Sequence, residues 1–228
     1  MDLFEEARER FKSHRAKVGI LGLGYAGLPL ACSFAEAGFQ VFGFDIDPRK
    51  VGELNRGSSY IAHLESARIA KLLSSGNLRA STDFSALEAC DAAIICVPTP
   101  LGEGNVPDLR FVVDTAQTVC SYLHRGLLVV LESTTFPGTT DEVLLPIFAK
   151  TGLRPGEDFF LAFSPEREDP ANKNFTTRTI PKIVGGVTPK CQQVACAAYG
   201  EVVESVVPVS SARVAEAATS SEASTIPP

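Results

Sequence analysis

Residues 22–27 read Gly-Leu-Gly-Tyr-Ala-Gly, and the short apolar run Lys17–Leu21 leads straight into them. A candidate helix, Tyr25–Ala37, follows, and a second short run, Gln40–Phe44, ends on Asp45, 21 positions beyond Gly24. A lone G-x-G-x-x-G is weak, because glycine-rich turns are common. Here a strand precedes it, a helix follows, and an acidic residue closes the next strand at the interval of about 20 that a dinucleotide-binding Rossmann unit requires.

Each position has a physical task. Gly22 turns the chain sharply off the strand, Gly24 lets a pyrophosphate approach the backbone, and Gly27 lets the helix pack on the sheet. The helix start, at Tyr25 and Ala26, offers free N–H groups to phosphate oxygens. The Asp45 carboxylate accepts hydrogen bonds from the adenosine ribose and repels a 2′-phosphate, which favours NAD over NADP. Arg49 and Lys50 leave NADP open, since a nearby cation offsets that repulsion. A structural glycine turn without ligand is the competing reading, and the strand–loop–helix–strand–Asp context disfavours it.

From Lys17 onward short apolar runs alternate with longer amphipathic segments. Candidate strands are Lys17–Leu21, Gln40–Phe44, Asn77–Ala80, Ala92–Val97, Leu127–Leu131, Phe159–Phe163, Lys182–Val184 and Val202–Val207. The clearest helices are Tyr25–Ala37, Pro48–Arg56, Leu109–Leu123 and Thr140–Thr151. Runs such as Ala-Ala-Ile-Ile-Cys-Val are apolar throughout, as a parallel sheet covered on both faces demands. The fold expected is α/β: a doubly wound, mostly parallel Rossmann sheet in a single domain. Phe4, Ala7 and Phe11 recur at helical spacing, which predicts a short surface helix before it. The organisation expected is a helical extension over 1–16, a cofactor-binding domain over 17–209, and a shortened helix with a frayed tail over 210–228.

Composition narrows the function. A net charge of -6 over 228 residues argues against nucleic acid, which needs clustered Lys and Arg. No apolar run reaches the roughly 18 residues of a membrane span, and the first 15 residues are too charged for a signal peptide. A cytoplasmic location is expected. Six cysteines, at 32, 90, 96, 120, 191 and 196, form no Cys-x-x-Cys pair and lie mostly in apolar stretches. They read as reduced core thiols, with neither a disulfide framework nor a metal site.

In open α/β sheets ligands sit beyond the carboxyl ends of the strands. Three further segments fall there: Val97-Pro98-Thr99-Pro100, Glu132-Ser133-Thr134-Thr135 with Phe136-Pro137-Gly138-Thr139 behind it, and Ser164-Pro165-Glu166-Arg167-Glu168-Asp169-Pro170. Singly, Thr99 and Thr134 read as caps or turn residues, and Glu166 as part of a solvated loop. Three polar loops converging beside a dinucleotide site favour a functional cleft.

These segments, with the continuation Leu28-Pro29-Leu30 after the glycine loop, resemble the UDP-sugar 6-dehydrogenases of the UDP-glucose/GDP-mannose dehydrogenase family. Ser164–Pro170, followed by Thr177-Arg178-Thr179-Ile180-Pro181-Lys182, resembles the UDP-N-acetylglucosamine 6-dehydrogenase branch. The resemblance runs from about Lys17 to Ala217 and covers the N-terminal, NAD-binding domain. It implies oxidation of a sugar C6 alcohol to a carboxylic acid, with two hydrides passed to two NAD molecules. A cysteine thiolate captures the aldehyde, and the thioester is hydrolysed. By residue matching, Asp45 and Lys50 hold the adenosine ribose and Thr99 and Thr134 line the nicotinamide side. Thr134 and Glu166 serve as catalytic residues that orient water and proton transfers.

Ser211–Ala217 resembles the start of the family's central helix. Where the family carries a catalytic Lys and, four residues later, an Asn, this chain has Thr219 and Ala223. The Gly-Gly-x-Cys-x-Pro segment and the UDP-binding domain are absent from the sequence, so the chain is expected to bind NAD without turnover, to hold a UDP-sugar weakly or not at all, and to be a monomer or weak homodimer. The alternatives are a stand-alone NAD-binding module, or a dehydrogenase of the 3-hydroxyacid type. The Ser-Pro-Glu-Arg and Glu-Ser-Thr segments disfavour the latter.

Overall fold

The computed structural model describes residues 2–102, 107–166 and 180–220. Among them, one sheet of eight strands is built from β1 (Lys17–Leu21), β2 (Gln40–Phe44), β3 (Leu78–Ser81), β4 (Ala92–Ile95), β5 (Leu128–Leu131), β6 (Phe160–Phe163), β7 (Lys182–Gly186) and β8 (Val206–Pro208). Their spatial order is β3-β2-β1-β4-β5-β6-β7-β8. The first six run parallel. β7 turns back antiparallel to β6, and β8 follows β7 in parallel.

Helices cover both faces, which explains strands apolar on every residue. Val18 and Ile20 of β1 and Ala92 and Ile94 of β4 face one cluster, built with α1 (Leu3–Lys12), α2 (Gly27–Glu36), α4 (Ser66–Ser74) and α7 (Pro189–Gly200). Leu21, Ala93 and Ile95 face the other, built with α5 (Arg110–Ser121), α6 (Leu145–Ala149) and α8 (Ala212–Ser220). α3 (Pro48–Asn55) lies beyond β2 and sends Leu54 into the first cluster. The sheet is therefore the doubly wound, mostly parallel α/β fold.

Three local outcomes differ from the sequence reading. α1, capped by Asp2 accepting from the Phe4 N–H at 3.2 Å, is more than a surface helix: Ala7 and Phe11 are buried in the core. The single helix expected over Thr140–Thr151 is a π-helical segment, Thr139–Leu144, running into the short α6. Pro146 has no N–H to continue the ladder, and the Leu145 N–H reaches back five residues to the Thr140 carbonyl. The last strand is Val206–Pro208 instead of Val202–Val207, because Val202 and Val203 fold back under α7 and are spent on core packing. Arg167–Pro170, Thr177–Thr179, Ala223 and the rest of the tail lie outside the described residues.

Candidate cofactor-binding site

The chain leaves β1 through Gly22 at φ +95°, and a Cβ there would stand 2.6 Å from the Cys96 carbonyl oxygen. A Cβ on Gly27 would stand 1.9 Å from the Gly22 carbonyl oxygen. Both positions admit only glycine. A Cβ on Gly24 would meet nothing within 4 Å, so the loop has its open face there. That is the side from which a phosphate reaches the backbone. α2 begins at half-buried Ala26 without a side-chain cap, leaving first-turn amides to an anion or water. Tyr25 is exposed and stacks on His63 with ring centres 6.3 Å apart.

Asp45 is 6% exposed and ties the loop to the next strand. Its Oδ2 accepts from the Leu23 N–H at 2.9 Å and from Lys50 Nζ at 3.3 Å, and its Oδ1 accepts from the Asp47 N–H at 2.9 Å. A carboxylate has about four lone-pair sites, so capacity remains for a ribose hydroxyl. Tyr60 braces the same turn by donating its hydroxyl to the Leu23 carbonyl. Asp45 and Lys50 border a cleft of about 390 Å³ walled by Phe44, Ile46, Phe84, Val97, Pro98 and Phe111. Apolar walls suit a purine, and a carboxylate at their edge suits its ribose. Arg49 pairs with Asp47 at 3.0 Å and Lys50 with Asp45 at 3.3 Å.

The opposite side of the site is built at the ends of β4, β5 and β6. Thr99 is half-buried in the loop after β4, Thr134 is exposed after β5, and Glu166 is half-buried after β6. Since these strands are neighbours, the three loops stand side by side. Ser133 Oγ donates to the Val97 carbonyl at 2.7 Å, and Ser164 Oγ to the Ile183 carbonyl at 2.8 Å. Thr135 Oγ1 is buried with no hydrogen-bond partner among the described residues, a costly state that a bound polar group would relieve.

Beneath these loops lies a group that motif reading passed over. Glu132, buried at the end of β5, accepts from Lys182 and, at 2.5 Å, from the Tyr199 hydroxyl. Lys182 also donates to the Pro165 carbonyl at 3.2 Å. A signal was available: opposite charges bound two otherwise apolar strands. The six cysteines are free thiols. Burial pushes Cys32 and Cys90 up to about 12 and Cys96 well above the ordinary thiol value, and it also raises Cys120, Cys191 and Cys196. A nucleophilic thiolate requires the opposite shift.

The model of the UDP-glucose/GDP-mannose dehydrogenase family, NAD-binding domain, matches residues 16–213. Over 204 residues the chain is 36% identical to a UDP-N-acetyl-D-glucosamine 6-dehydrogenase of Pseudomonas aeruginosa, covering 89% of this chain and 47% of that protein. It is 36% identical to a UDP-N-acetyl-D-mannosamine dehydrogenase of Pyrococcus horikoshii, covering 88% and 48%. The solved UDP-N-acetyl-mannosamine dehydrogenase of Staphylococcus aureus superposes with a TM-score of 0.85 at 31% identity, covering 91% of this chain and 50% of that one. The chain spans about half the length of the curated relatives it matches. The glycine loop, the ribose carboxylate and this likeness agree: the chain belongs to the UDP-glucose/GDP-mannose dehydrogenase family and carries its NAD-binding domain.

Proposed function

We propose that this chain is the cofactor half of a nucleotide-sugar 6-dehydrogenase of the UDP-N-acetylhexosamine type, an enzyme that oxidises the sugar C6 alcohol to a carboxylate. The observation that carries the cofactor reading is Asp45, held by the Leu23 and Asp47 amides at the mouth of an apolar cleft. In this reading Gly22, Gly24, Tyr25, Ala26 and Gly27 form the phosphate turn, and Asp45 with Lys50 binds the adenosine ribose. Thr99 and Thr134 line the nicotinamide end. NAD bound there supplies a hydride acceptor. Thr134 and Glu166 orient the sugar C6 hydroxyl and a water through hydrogen bonds, and the Glu166 carboxylate accepts protons at its oxygens. UDP-N-acetylglucosamine and UDP-N-acetylmannosamine are the substrates to which the relatives' names point.

For this polypeptide by itself we propose NAD binding without turnover, as a monomer or weak homodimer. The supporting observation is that burial raises all six thiols, which leaves no activated nucleophile among them. Fluorescence titration of NADH, combined with absorbance at the nicotinamide band in the presence of NAD and UDP-N-acetylglucosamine, tests both statements. Saturable NADH binding without reduction is the expected result. Absence of NADH binding sinks the cofactor reading, and reduction of NAD sinks the claim of inactivity.

A further inference from the structure

We propose that Lys182, Glu132 and Tyr199 form a buried positioning unit that sets the loops of Thr134 and Glu166 against the nicotinamide end of the cofactor. The proposal rests on the assignment of Thr134 and Glu166 to that end.

The three side chains come from separate elements. Glu132 follows β5, Lys182 opens β7, and Tyr199 lies in α7. Lys182 and Glu132 are each 4% exposed and Tyr199 is fully buried. The Glu132 carboxylate is satisfied on both oxygens, Oε1 by Lys182 and Oε2 by the Tyr199 hydroxyl. Lys182 Nζ holds the Pro165 carbonyl at 3.2 Å and lies 5.2 Å from the centre of the Tyr199 ring. Burial first, then the Glu132 carboxylate, pushes the Tyr199 phenol well above its ordinary value, so it stays a protonated donor.

The connections run directly to the proposed site residues. Glu132 is two positions before Thr134, and Pro165 is the residue before Glu166. The Cys96 thiol, at the end of β4, reports the convergence: burial raises it most, Glu132 and Glu166 raise it further, and Lys182 opposes them. Ser133 ties the backbone of Val97, the first residue of the Val97–Pro100 loop, to the same assembly.

Stability does not explain the choice of residues. A buried ion pair replaced by apolar groups of similar volume is often as stable or more so. What charges and directional hydrogen bonds add is one fixed geometry for supports beneath a site, where small displacements are costly.

The test compares the full chain with Tyr199→Phe and with the neutral double variant Lys182→Met/Glu132→Gln. A single replacement of Lys182 would strand a buried carboxylate and risk the fold, so both test variants avoid that, and circular dichroism verifies them. The two probes are NADH and ADP-ribose, which lacks the nicotinamide. The double variant is expected to bind NADH about tenfold more weakly, with ADP-ribose affinity within about twofold of the unaltered chain. Tyr199→Phe is expected to show the same selectivity at about threefold. A general loosening of the fold would weaken both ligands alike, and that result overturns the proposal. Unchanged NADH affinity in both variants also overturns it. If the unaltered chain binds no NADH, the cofactor reading itself fails, a result distinct from either.

Discussion

The two ends of the proposed cofactor site are held by different physics. At the adenosine end the supports are local: Asp45 is bonded by the backbone amides of Leu23 and Asp47, in the turns after β1 and β2, and by Lys50 in the first turn of α3. At the nicotinamide end the supports are remote. Glu132 meets a lysine 50 positions away and a tyrosine 67 positions away, and both partners are buried. A locally held group depends on its own turn. A remotely held one depends on the whole sheet edge being in register, so damage to it propagates further.

Three substitutions sharpen or break this contrast. The largest effect is expected from Lys182→Ala, which leaves Glu132 buried without its counter-charge and should cost about 3–5 kcal/mol of stability. Urea denaturation measures it; a loss under about 1 kcal/mol would mean that the pair is not buried as described. Asp45→Ala comes next. It should weaken NADH binding by about tenfold or more at a smaller cost to the fold than Lys182→Ala, because it removes two amide hydrogen bonds, in the turns after β1 and β2, and one half-exposed ion pair with Lys50. The ratio of NADH to NADPH affinity should fall with it, and an unchanged ratio in paired titrations would remove Asp45 from the ribose site.

The smallest effect concerns a carboxylate just before β6, at the end of the strands opposite the proposed site, where Asp158 accepts from the Arg154 N–H at 3.0 Å and pairs with exposed Arg125. The Arg154 N–H foremost holds its carboxyl below the ordinary 3.8; burial, the next largest influence, pulls it up, and the Arg125 and Arg154 charges add to the lowering. A lowered acid contributes stability above its unfolded value, and that contribution disappears as pH falls through the folded one. Asp158→Asn should therefore lower the denaturation midpoint slightly at pH 7, with the gap closing below 3.8. A gap that persists at more acidic pH would show that the side chain acts by packing instead of charge.

Legibility from sequence divides along the same line. The bounds of β1 and β2 read from apolar runs are those of the structure, and the link between Asp45 and the glycine turn follows from spacing, because chain geometry over some 20 residues is set by local rules. The pairing of Glu132 with Lys182 and Tyr199 lies beyond such rules, although the two opposite charges beside apolar runs are visible. Glu132 was readable as part of a polar strand end and Lys182 as the start of a strand and the close of the Thr177–Lys182 segment, neither with a role of its own, and nothing in helical periodicity marks Tyr199 as a hydroxyl donor. The π-helical segment was missed for a different reason: apolar spacing outweighed Pro146, although the missing N–H was in plain view.

The reversed polarity of β7 has a consequence for where chemistry can be sought in such a sheet. In parallel strands, only residues at the end of a strand reach the ligand-facing rim. β7 runs the other way, so its opening residue, Lys182, arrives at that rim beside Pro165. One inverted strand thus turns a sequence position that reads as the inert foot of a strand into part of the roofline. The opening residue of an inverted strand therefore shares the rim with residues immediately after a parallel one.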